Sequence, residues 1–260
     1  MTNLFDLTGK KAVVVGGAGG IGQAIAEGLL EAGAQVMISS RKEDSLCRAQ
    51  KELKKSCGCL ALYHVGDASK EEDVKELLEA ALSEMGTVDI LVNSQGFNKK
   101  FPGTEFPEDQ WNAMFDANVK SVMFTCKHFG KYMKDNNIHG KIINVSSVRG
   151  IRAVANGGGG NVGYCATKGA VEMLTKAYAS DLRPDIQVNA IGPTITYTPM
   201  MAGLLPDDED ARNQIGAGMP AQRIGYPEDC KGTAIFLASK ASDFVTGSTI
   251  YPDGGLTAVG

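Results

Sequence analysis

The sequence predicts an α/β fold in which one parallel sheet of about seven strands is doubly wound, with helices on both faces. Two observations lead to this prediction. Short apolar runs alternate with amphipathic stretches along the chain, and the early runs are almost uninterrupted in apolar character, as in strands buried in a parallel sheet. The 260 residues, 43% of them hydrophobic, are enough for a sizeable core. Because no linker, repeat or low-complexity segment interrupts the alternation, we predict a single domain, residues 1–260.

Seven segments have the character of strands, and a helix fits between most of them. In chain order they are KAVVV, AQVMIS, LALYHV, VDILVN, KIINVS, IQVNAI and STIYP. The helix after the first strand has one apolar face, formed by Ile21, Ala24, Ile25, Gly28 and Leu29. Gly33 supplies a stop signal before the second strand. The chain therefore begins with a strand–helix–strand unit, and we expect the same alternation to continue to its end.

Composition limits the kinds of partner that this protein binds. The formal charge is −4 and no long basic run occurs, which argues against nucleic acid or an anionic membrane and leaves small molecules. The N-terminus lacks a signal-peptide pattern and no apolar run reaches about 18 residues, so we expect a cytoplasmic protein without a membrane segment. The cysteines lack zinc spacing, and CGC at 57–59 has no further ligands nearby, so no metal site is predicted.

A glycine-rich turn, GGAGGIG at 16–22, follows the first strand directly. Glycines at such a turn let the backbone approach a pyrophosphate, and the N-terminus of the next helix offers unpaired N–H groups to it. The spacing differs from the GxGxxG fingerprint of dinucleotide sites, and a glycine-rich turn without a ligand is the alternative. The position of the turn in the first strand–helix–strand unit favours dinucleotide binding.

Several motifs together resemble the short-chain dehydrogenase/reductase family over essentially the whole chain. They are G-x-x-x-G-x-G at Gly16, Gly20 and Gly22, NSQG at 93–96, Asn118, Ser147, Tyr164 and Lys168, followed by NAIGPTITYTPM and FLASKASDFVTGSTIYPDGG. The resemblance implies a Rossmann-type fold and a dehydrogenase or reductase that uses NAD(P). This chain departs from the family's usual NNAG motif and from its usual Pro-Gly at Pro193-Thr194. It also has extra residues, VANGGGGN, between Ser147 and Tyr164.

The pair Tyr164 and Lys168 is expected to carry the chemistry. If a helix begins near Tyr164, the two side chains lie one turn apart on one face, and the ammonium would hold the phenol pKa well below its ordinary value. The resemblance implies that Tyr164 exchanges a proton with the substrate oxygen, that Ser147 hydrogen-bonds this oxygen and that Lys168 also holds the nicotinamide ribose. It further implies that Asn118 supports a water-linked proton path. Ser146 is the alternative to Ser147.

The end of the second strand indicates which cofactor binds. A carboxylate there would bind the 2′-hydroxyl of NAD, whereas Ser40, Arg41 and Lys42 contain no acid and an arginine accepts a 2′-phosphate. NADP(H) is therefore favoured, and NAD(H) is the alternative. The resemblance adds Asp67 as an adenine contact and Thr198 as a pyrophosphate or carboxamide contact. The complete expected set is Gly16, Gly20, Ile21, Gly22, Ser40, Arg41, Lys42, Asp67, Asn93, Gly96, Tyr164, Lys168, Pro193, Ile195 and Thr198.

The substrate is predicted from local similarity and from charge. The stretches GTEFPEDQWNAMFDAN and FLASKASDFVTG are most similar to gluconate 5-dehydrogenases and related sugar-acid dehydrogenases, which implies a substrate such as gluconate or 5-ketogluconate. Four basic residues that follow the fourth and fifth strands are expected to bind its carboxylate: Lys99, Lys100, Arg149 and Arg152. A 3-oxoacyl-carrier-protein reductase or a steroid dehydrogenase is the alternative within the family. A non-catalytic dinucleotide-sensing protein is the alternative in another functional class.

The least regular stretch of the sequence is 194–225. A long insertion after a strand at the cofactor edge commonly closes over a site, so we predict that it forms a mobile substrate lid. A loop that contacts another subunit is the alternative. The family resemblance implies a homotetramer.

Overall fold

The computed structural model describes residues 3–153, 161–198, 201 and 205–259. At its centre is a seven-stranded sheet in which every neighbouring pair of strands is parallel. The strands are β1 (Lys11–Val15), β2 (Gln35–Ser40), β3 (Leu62–Val65), β4 (Ile90–Asn93), β5 (Lys141–Val145), β6 (Gln187–Ile191) and β7 (Thr249–Ile250). Their order across the sheet is β3-β2-β1-β4-β5-β6-β7, which confirms the predicted α/β fold with one doubly wound sheet.

Helices lie between the strands. The described residues contain α1 (Gly20–Glu31), α2 (Glu43–Cys57), α3 (Glu71–Met85), α4 (Glu108–Phe115), α5 (Ser121–Asp135), α6 (Val162–Asp181), α7 (Glu209–Gly216) and α8 (Lys231–Ala238). A π-helix, Asp116–Lys120, joins α4 to α5, and a short 3-10 helix, Val148–Gly150, follows β5. None of the helices in these ranges has both the length and the apolar character that a membrane span requires.

Two hydrophobic cores lie on opposite faces of the sheet. Val14 and Ile38 belong to one core, together with residues of α1, α2 and α8. Val13 and Met37, their neighbours along the chain, belong to the other core, together with residues of α3, α5 and α6. Because side chains alternate along a strand, a strand that is covered on both faces has to be apolar almost throughout. This is the physical reason why the continuous apolar runs predict the central strands correctly.

The strand order reverses beside β1. The chain moves outward from β1 to β2 and β3, and then returns to place β4 on the other side of β1. The connections after β1 and β4 therefore leave the sheet in opposite directions, which opens a crevice at the carboxyl ends of these two strands. Ligands of open α/β sheets bind in such a crevice.

The segment 194–225 is less irregular than the sequence predicted. A parallel bridge between Thr196 and Gly225 closes its base, and α7 lies within it. Arg212 of α7 is buried, and its guanidinium carbon lies 4.2 Å from the centre of the Tyr197 ring. The helix is thus attached to the base of the segment by an interaction between a cation and an aromatic ring.

Two predicted features fall partly outside the described residues. Of the insertion VANGGGGN, only the last residue, Asn161, is described. In the segment 194–225, residues 199–200 and 202–204 are not described.

Candidate active site

A cleft of about 1310 Å³ lies along the carboxyl ends of the strands at this crevice. Sites for single small ligands usually measure about 300–1,000 Å³, so the cleft has room for a dinucleotide and a substrate together. It is lined by the turn after β1, by the segments that follow β4, β5 and β6, and by one face each of α2 and α6. Of the predicted catalytic residues, Ser147, Tyr164 and Lys168 lie in its wall.

Gly16 and Gly22 allow the turn after β1 to fold tightly against the neighbouring loop. Gly16 has a φ of +78°, and a Cβ there would lie 2.6 Å from the Gln95 amide nitrogen. A Cβ on Gly22 would lie 2.2 Å from the Gly16 carbonyl oxygen. Real Cβ atoms essentially never come so close to backbone atoms. The backbone of this turn therefore requires glycine at both positions.

The N-terminus of α1 faces the cleft and has no side-chain cap. Gly19 is the N-cap residue, and Gly19, Gly20 and Ile21 all line the cleft. The first N–H groups of the helix are thus available to a ligand, and the helix dipole favours a negative charge there. A Cβ on Gly19 would meet no atom within 4 Å, so the space before this turn is open. The arrangement fits a phosphate or pyrophosphate group.

Tyr164 lies in the first turn of α6 and interacts with Ser147. Burial raises the pKa of Tyr164 to about 12, and a hydrogen bond with the Ser147 side chain opposes this rise. Ser147 Oγ also accepts a 3.1 Å hydrogen bond from the Arg149 amide and donates a 3.3 Å bond to the Pro193 carbonyl. These contacts hold the serine hydroxyl beside the phenol.

The second candidate serine, Ser146, also lines the cleft, but its hydroxyl has a different partner. Its hydroxyl is buried and donates a 3.5 Å hydrogen bond to the Lys168 carbonyl oxygen on α6. Ser147 is therefore the serine that interacts with the Tyr164 hydroxyl, as the sequence analysis favoured.

Lys168 lies one turn after Tyr164 on the same helix face, as the spacing predicted. Its Nζ donates a 2.8 Å hydrogen bond to the Val145 carbonyl. Burial lowers the pKa of Lys168 to about 8, although the negative charge of Glu172 opposes this. The prediction that Tyr164 has a lowered pKa is wrong for the free protein, because the cost of burying a charged phenolate outweighs the attraction of its neighbours.

Asn118 is buried in the π-helix and its side chain does not line the cleft. Its Nδ2 donates to the Phe97 carbonyl at 2.9 Å and to Thr167 Oγ1 at 3.1 Å, and its Oδ1 accepts from the Phe97 amide at 2.9 Å. Both amide protons are therefore used within the protein. The side chain thus joins the loop after β4 to α6, and the support of a water-linked proton path by Asn118 stays a prediction.

The opposite end of the cleft lies over the end of β2 and one face of α2. Ser40, Ser45 and Arg48 line this end. A guanidinium and two hydroxyl groups are donors that suit a phosphate, although the acid Glu52 on α2 also lines the cleft. Arg41 and Lys42 are exposed beside Ser40 and do not form part of the wall. The structure thus adds Arg48 and Ser45, which the sequence analysis missed, to the predicted residues.

Two other predicted cofactor contacts are turned away from the cleft. The Asn93 side chain is buried and hydrogen-bonded to Asn144 and Thr125. Asp67 Oδ1 accepts hydrogen bonds from the amide and hydroxyl of Ser69 in the turn after β3. The predicted cofactor residues that the structure does bring to the cleft are Gly16, Gly20, Ile21, Gly22, Ser40, Gly96, Tyr164, Lys168, Pro193, Ile195 and Thr198.

Two of the four predicted basic residues reach the cleft. Lys100 and Arg149 form part of its wall, and burial lowers the pKa of the Arg149 guanidinium. Lys99 is exposed and bonded to a side chain of α4. Arg152 donates a 2.5 Å hydrogen bond to the Leu256 carbonyl near the C-terminus. The structure thus leaves two of the four predicted basic residues, Lys100 and Arg149, in position to bind an anionic group in the cleft.

Further polar side chains line the same end of the cleft. Asn98 Nδ2 donates a 2.9 Å hydrogen bond to Asn161 Oδ1, and Gln95 Nε2 donates a 3.1 Å bond to Ser121 Oγ. Gln95 is part of the motif NSQG, Asn98 follows this motif by two residues, and Asn161 ends the glycine-rich insertion, which were the only sequence signals for these residues. In the described ranges, no three or more His, Cys, Asp or Glu side chains are placed to hold a metal ion.

Comparison with known proteins agrees with this geometry. A protein-family model described as enoyl-(acyl carrier protein) reductase matches residues 16–257. The chain is 36% identical to gluconate 5-dehydrogenase from Gluconobacter oxydans, over 98% of this chain and 97% of that protein. It is 35% identical to glucose 1-dehydrogenase from the same organism, over 97% and 93%. Its structure is similar to that of a gluconate 5-dehydrogenase from Burkholderia cenocepacia in complex with NADP and tartrate, with a TM-score of 0.89, 35% identity and coverage of 99% and 98%.

Proposed function

This chain belongs to the short-chain dehydrogenase/reductase family, and from that premise we propose that it transfers hydride between NADP(H) and the carbonyl or secondary alcohol of a sugar acid such as gluconate or 5-ketogluconate. The family and the relatives make it a dehydrogenase or reductase that acts on CH–OH groups. One observation carries the substrate proposal: Tyr164 and Ser147 share a cleft with the cations Lys100 and Arg149. The first pair suits proton transfer to a substrate oxygen, and the second suits a carboxylate.

Each of the predicted catalytic residues has its own role in the proposed reaction. During reduction, Tyr164 donates its hydroxyl proton to the carbonyl oxygen of the substrate, and during oxidation it takes a proton from the alcohol. Ser147 hydrogen-bonds the same oxygen, and Lys168 holds the nicotinamide ribose. When bound, the nicotinamide supplies or accepts the hydride. Asn118 holds the loop after β4 against α6, so it keeps Tyr164 in position.

Residues at two places in the cleft suit a dinucleotide carrying a 2′-phosphate. The uncapped N-terminus of α1 accommodates the pyrophosphate. Ser40, Ser45 and Arg48, with Arg41 and Lys42 close by in sequence, accommodate the 2′-phosphate. The relative from Burkholderia cenocepacia, which was crystallised with NADP, supports this choice. NAD(H) is the second candidate.

The charge of the cleft favours a sugar acid over the other substrates of the family. A 3-oxoacyl-carrier-protein reductase or a steroid dehydrogenase should present a cleft without a cluster of cations, whereas Lys100, Arg149 and the Asn98–Asn161 pair line this one. Tartrate, present in the structure of a relative, is itself a hydroxylated acid. The paired Tyr164 and Ser147 argue against a protein that only senses a dinucleotide.

We further propose a location in the cell, an oligomeric state, the extent of the domain and a substrate lid for this protein. We place the protein in the cytoplasm as a homotetramer, as the family resemblance implies. Residues 1–260 form one domain, and 194–225 is its substrate lid. The position of Ile195, Thr198 and Met201 in the cleft wall supports the lid, because the segment begins at the proposed site.

A substrate screen tests the proposal directly. Purified protein is assayed by the absorbance of reduced cofactor with gluconate and 5-ketogluconate, with neutral polyols and glucose, and with 3-oxoacyl thioesters. The Tyr164→Phe variant, purified in parallel, controls for contaminating dehydrogenases. We expect the highest kcat/KM with a sugar acid and NADP(H). A clear preference for a thioester or a neutral sugar would overturn the substrate proposal.

A further inference from the structure

Glu172 is a buried acid one turn beyond Lys168 on α6, with only 8% of its surface exposed. One of its carboxylate oxygens accepts a hydrogen bond from the Thr249 hydroxyl on β7. The other, Oε1, is buried and has no hydrogen-bond donor within 3.5 Å among the described residues, although Tyr251, whose pKa is raised by burial and by this carboxylate, lies beside it. A buried carboxylate with so few donors needs a nearby cation, or else it takes up a proton.

Lys168 is the buried cation beside it. Tyr164, Lys168 and Glu172 follow one another at intervals of four residues, so they lie on one face of α6. Lys168 is only 5% exposed, and its hydrogen-bond acceptor, the Val145 carbonyl, is uncharged. Lysine and glutamate therefore each lack a compensating charge unless they supply it to one another.

We propose that Glu172 is a positioning residue of the active site, whose negative charge keeps the Lys168 side chain in its charged ammonium form. The importance of this for catalysis depends on the function proposed above, whereas the coupling between the two charges does not. The coupling acts through space, since Lys168 Nζ is bonded to Val145. Two charges one helix turn apart in the protein interior are only weakly screened.

The surroundings of the pair support the proposal. A Cβ on Gly150 would lie 2.8 Å from Glu172 Cγ, so the short helix after β5 packs directly on this turn of α6. The titratable groups next to the pair are Tyr164, which Lys168 approaches, and Tyr251, which interacts with Glu172; Cys165, Arg149, Arg152 and Asp253 lie beyond these two tyrosines. Among these described groups, Glu172 is the one whose charge changes the pKa of Lys168, where it opposes the larger effect of burial.

The alternative is that Glu172 only ties α6 to β7 through Thr249. Two variants separate these roles. Glu172→Gln keeps the shape and an oxygen that can accept from Thr249 but removes the charge. Thr249→Val removes the hydrogen bond and keeps the charge. A structural tie predicts the larger effect in Thr249→Val, because Glu172→Gln keeps the hydrogen bond, whereas charge coupling predicts an effect in Glu172→Gln alone.

The direct readout is the titration of Lys168, followed by NMR of protein labelled with ¹³C at the lysine ε-carbon. One lysine should titrate near pH 8, well below the others, and its signal should vanish in Lys168→Met. In Glu172→Gln the midpoint should fall by about one pH unit, because loss of the carboxylate makes the ammonium about tenfold easier to deprotonate. In Thr249→Val it should be little changed. This measurement needs no substrate, so it stands even if the proposed function fails.

The pH profile of the reduction provides the second readout. Because reduction needs a protonated Tyr164 and Lys168, kcat/KM should fall as pH rises, and this alkaline limb should move to lower pH in Glu172→Gln. If Glu172→Gln does not fold, Glu172→Met applies, because its apolar side chain of similar length also removes the charge and should lower the Lys168 midpoint by the same amount. An unchanged Lys168 midpoint in the folded charge-removing variant at position 172, or an equal or larger shift of this midpoint in Thr249→Val, would overturn the proposal.

Discussion

Lys168 Nζ lies 5.6 Å from the centre of the Tyr164 ring, so the ammonium lies over the face of the aromatic ring. The phenol, with a pKa of about 12, keeps its proton at neutral pH. The free protein is thus arranged as a proton donor, ready for the reduction of a carbonyl group. Charge that develops on the substrate oxygen during hydride transfer then draws the proton from Tyr164.

The first prediction concerns the proton donor. Tyr164→Phe removes the hydroxyl and keeps the ring, so kcat should fall by roughly 100-fold to 10,000-fold, the usual contribution of a positioned acid or base. The dissociation constant of the cofactor should stay nearly the same, which fluorescence titration can check. Tyr132→Phe is the matched control, because it loses only a 3.3 Å hydrogen bond to Thr87 away from the cleft. Near-normal turnover of Tyr164→Phe would contradict the assignment.

The second prediction concerns the glycine-rich turn. Gly22→Ala places a Cβ 2.2 Å from the Gly16 carbonyl oxygen. The free energy of unfolding, measured by thermal unfolding, should therefore fall by about 1–3 kcal/mol, as for other overpacked sites. Cofactor binding should be lost as well. Gly19→Ala has open space and an extended φ of 171°, so stability should stay within about 0.5 kcal/mol.

The Gly19 variant tests the phosphate site separately from the fold. Its new methyl group would stand before the uncapped N-terminus of α1, where it should weaken cofactor binding. Gly218→Ala, where a Cβ likewise meets nothing within 4 Å but lies away from the cleft, should change neither property. Unimpaired cofactor binding by Gly19→Ala would show that the phosphates lie elsewhere.

The sequence predicted those parts of the molecule that depend on neighbouring residues or on burial. Apolar runs indicated all seven strands, most clearly the central ones, where both faces of the sheet are covered, as the buried strand Ile90–Asn93 shows. The four-residue spacing of Tyr164 and Lys168 placed them on one face because helix geometry fixes that relation. The turn after β1 was predicted because its local conformation requires residues without a Cβ, and glycines are visible in the sequence.

Other features depend on contacts between distant segments, and the sequence could not reveal them. Arg152 bonds to the Leu256 carbonyl, 104 positions away, which removes it from the predicted cluster of cations. Arg48 reaches the cleft because of how α2 packs beside the first turn. The pKa of Tyr164 was predicted from its near neighbour alone, whereas burial, which is a property of the whole fold, decides it.

The third prediction concerns cofactor selectivity. Arg48→Ala should weaken the binding of NADP by about 10-fold to 150-fold, corresponding to the roughly 1.5–3 kcal/mol of a charged hydrogen bond, and should leave NAD binding almost unchanged. Ser40→Asp combined with Arg41→Ala should shift preference towards NAD, because a carboxylate repels the 2′-phosphate. Titration of each variant with both dinucleotides measures the change.

A lysine on the same helix provides the control for these variants. Lys54 is exposed near the end of α2 and does not line the cleft, so Lys54→Ala should not alter either affinity. Tighter binding of NAD than NADP by the unmodified protein would contradict the cofactor proposal. If Arg48→Ala weakens the binding of NAD and NADP equally, this arginine contacts a part of the dinucleotide that both cofactors share and not the 2′-phosphate.

The fourth prediction concerns the lid. Cofactor and substrate together should slow hydrogen exchange in α7 and the residues before it, because closure would shield amides that open readily in the free protein. The base of the segment, where the Tyr197 amide already bonds to Gly225, should change less. Arg212→Ala removes the contact with the Tyr197 ring and should raise KM more than it lowers kcat. Helix α3 is the internal reference.

A subunit contact would give a different pattern. Protection of α7 would then depend on protein concentration and not on ligand, which exchange at two concentrations can show. Unchanged exchange throughout the described part of 194–225 at saturating ligand would contradict a lid.

The final prediction concerns recognition of the substrate carboxylate. Lys100→Ala and Arg149→Ala should each lower kcat/KM for a sugar acid by a factor equivalent to about 1.5–3 kcal/mol, the usual value of a hydrogen bond to a charged group, and should change it little for an uncharged polyol of matched length. Arg149 should show the larger effect, because its partly buried guanidinium is less screened by solvent than the exposed Lys100.

The other two cations of the predicted cluster serve as matched controls. Lys99→Ala alters an exposed residue bonded to α4 and should leave kcat/KM for both substrates unchanged. Arg152→Ala removes the bond to the Leu256 carbonyl, so it should lower stability without changing the ratio of acid to polyol activity. That ratio is the decisive quantity, because a variant with a damaged fold loses both activities together, whereas a lost carboxylate contact affects only the acid. If the ratio is the same in Lys100→Ala, Arg149→Ala and the unmodified protein, these cations do not bind the substrate, even though the chain remains a dehydrogenase or reductase.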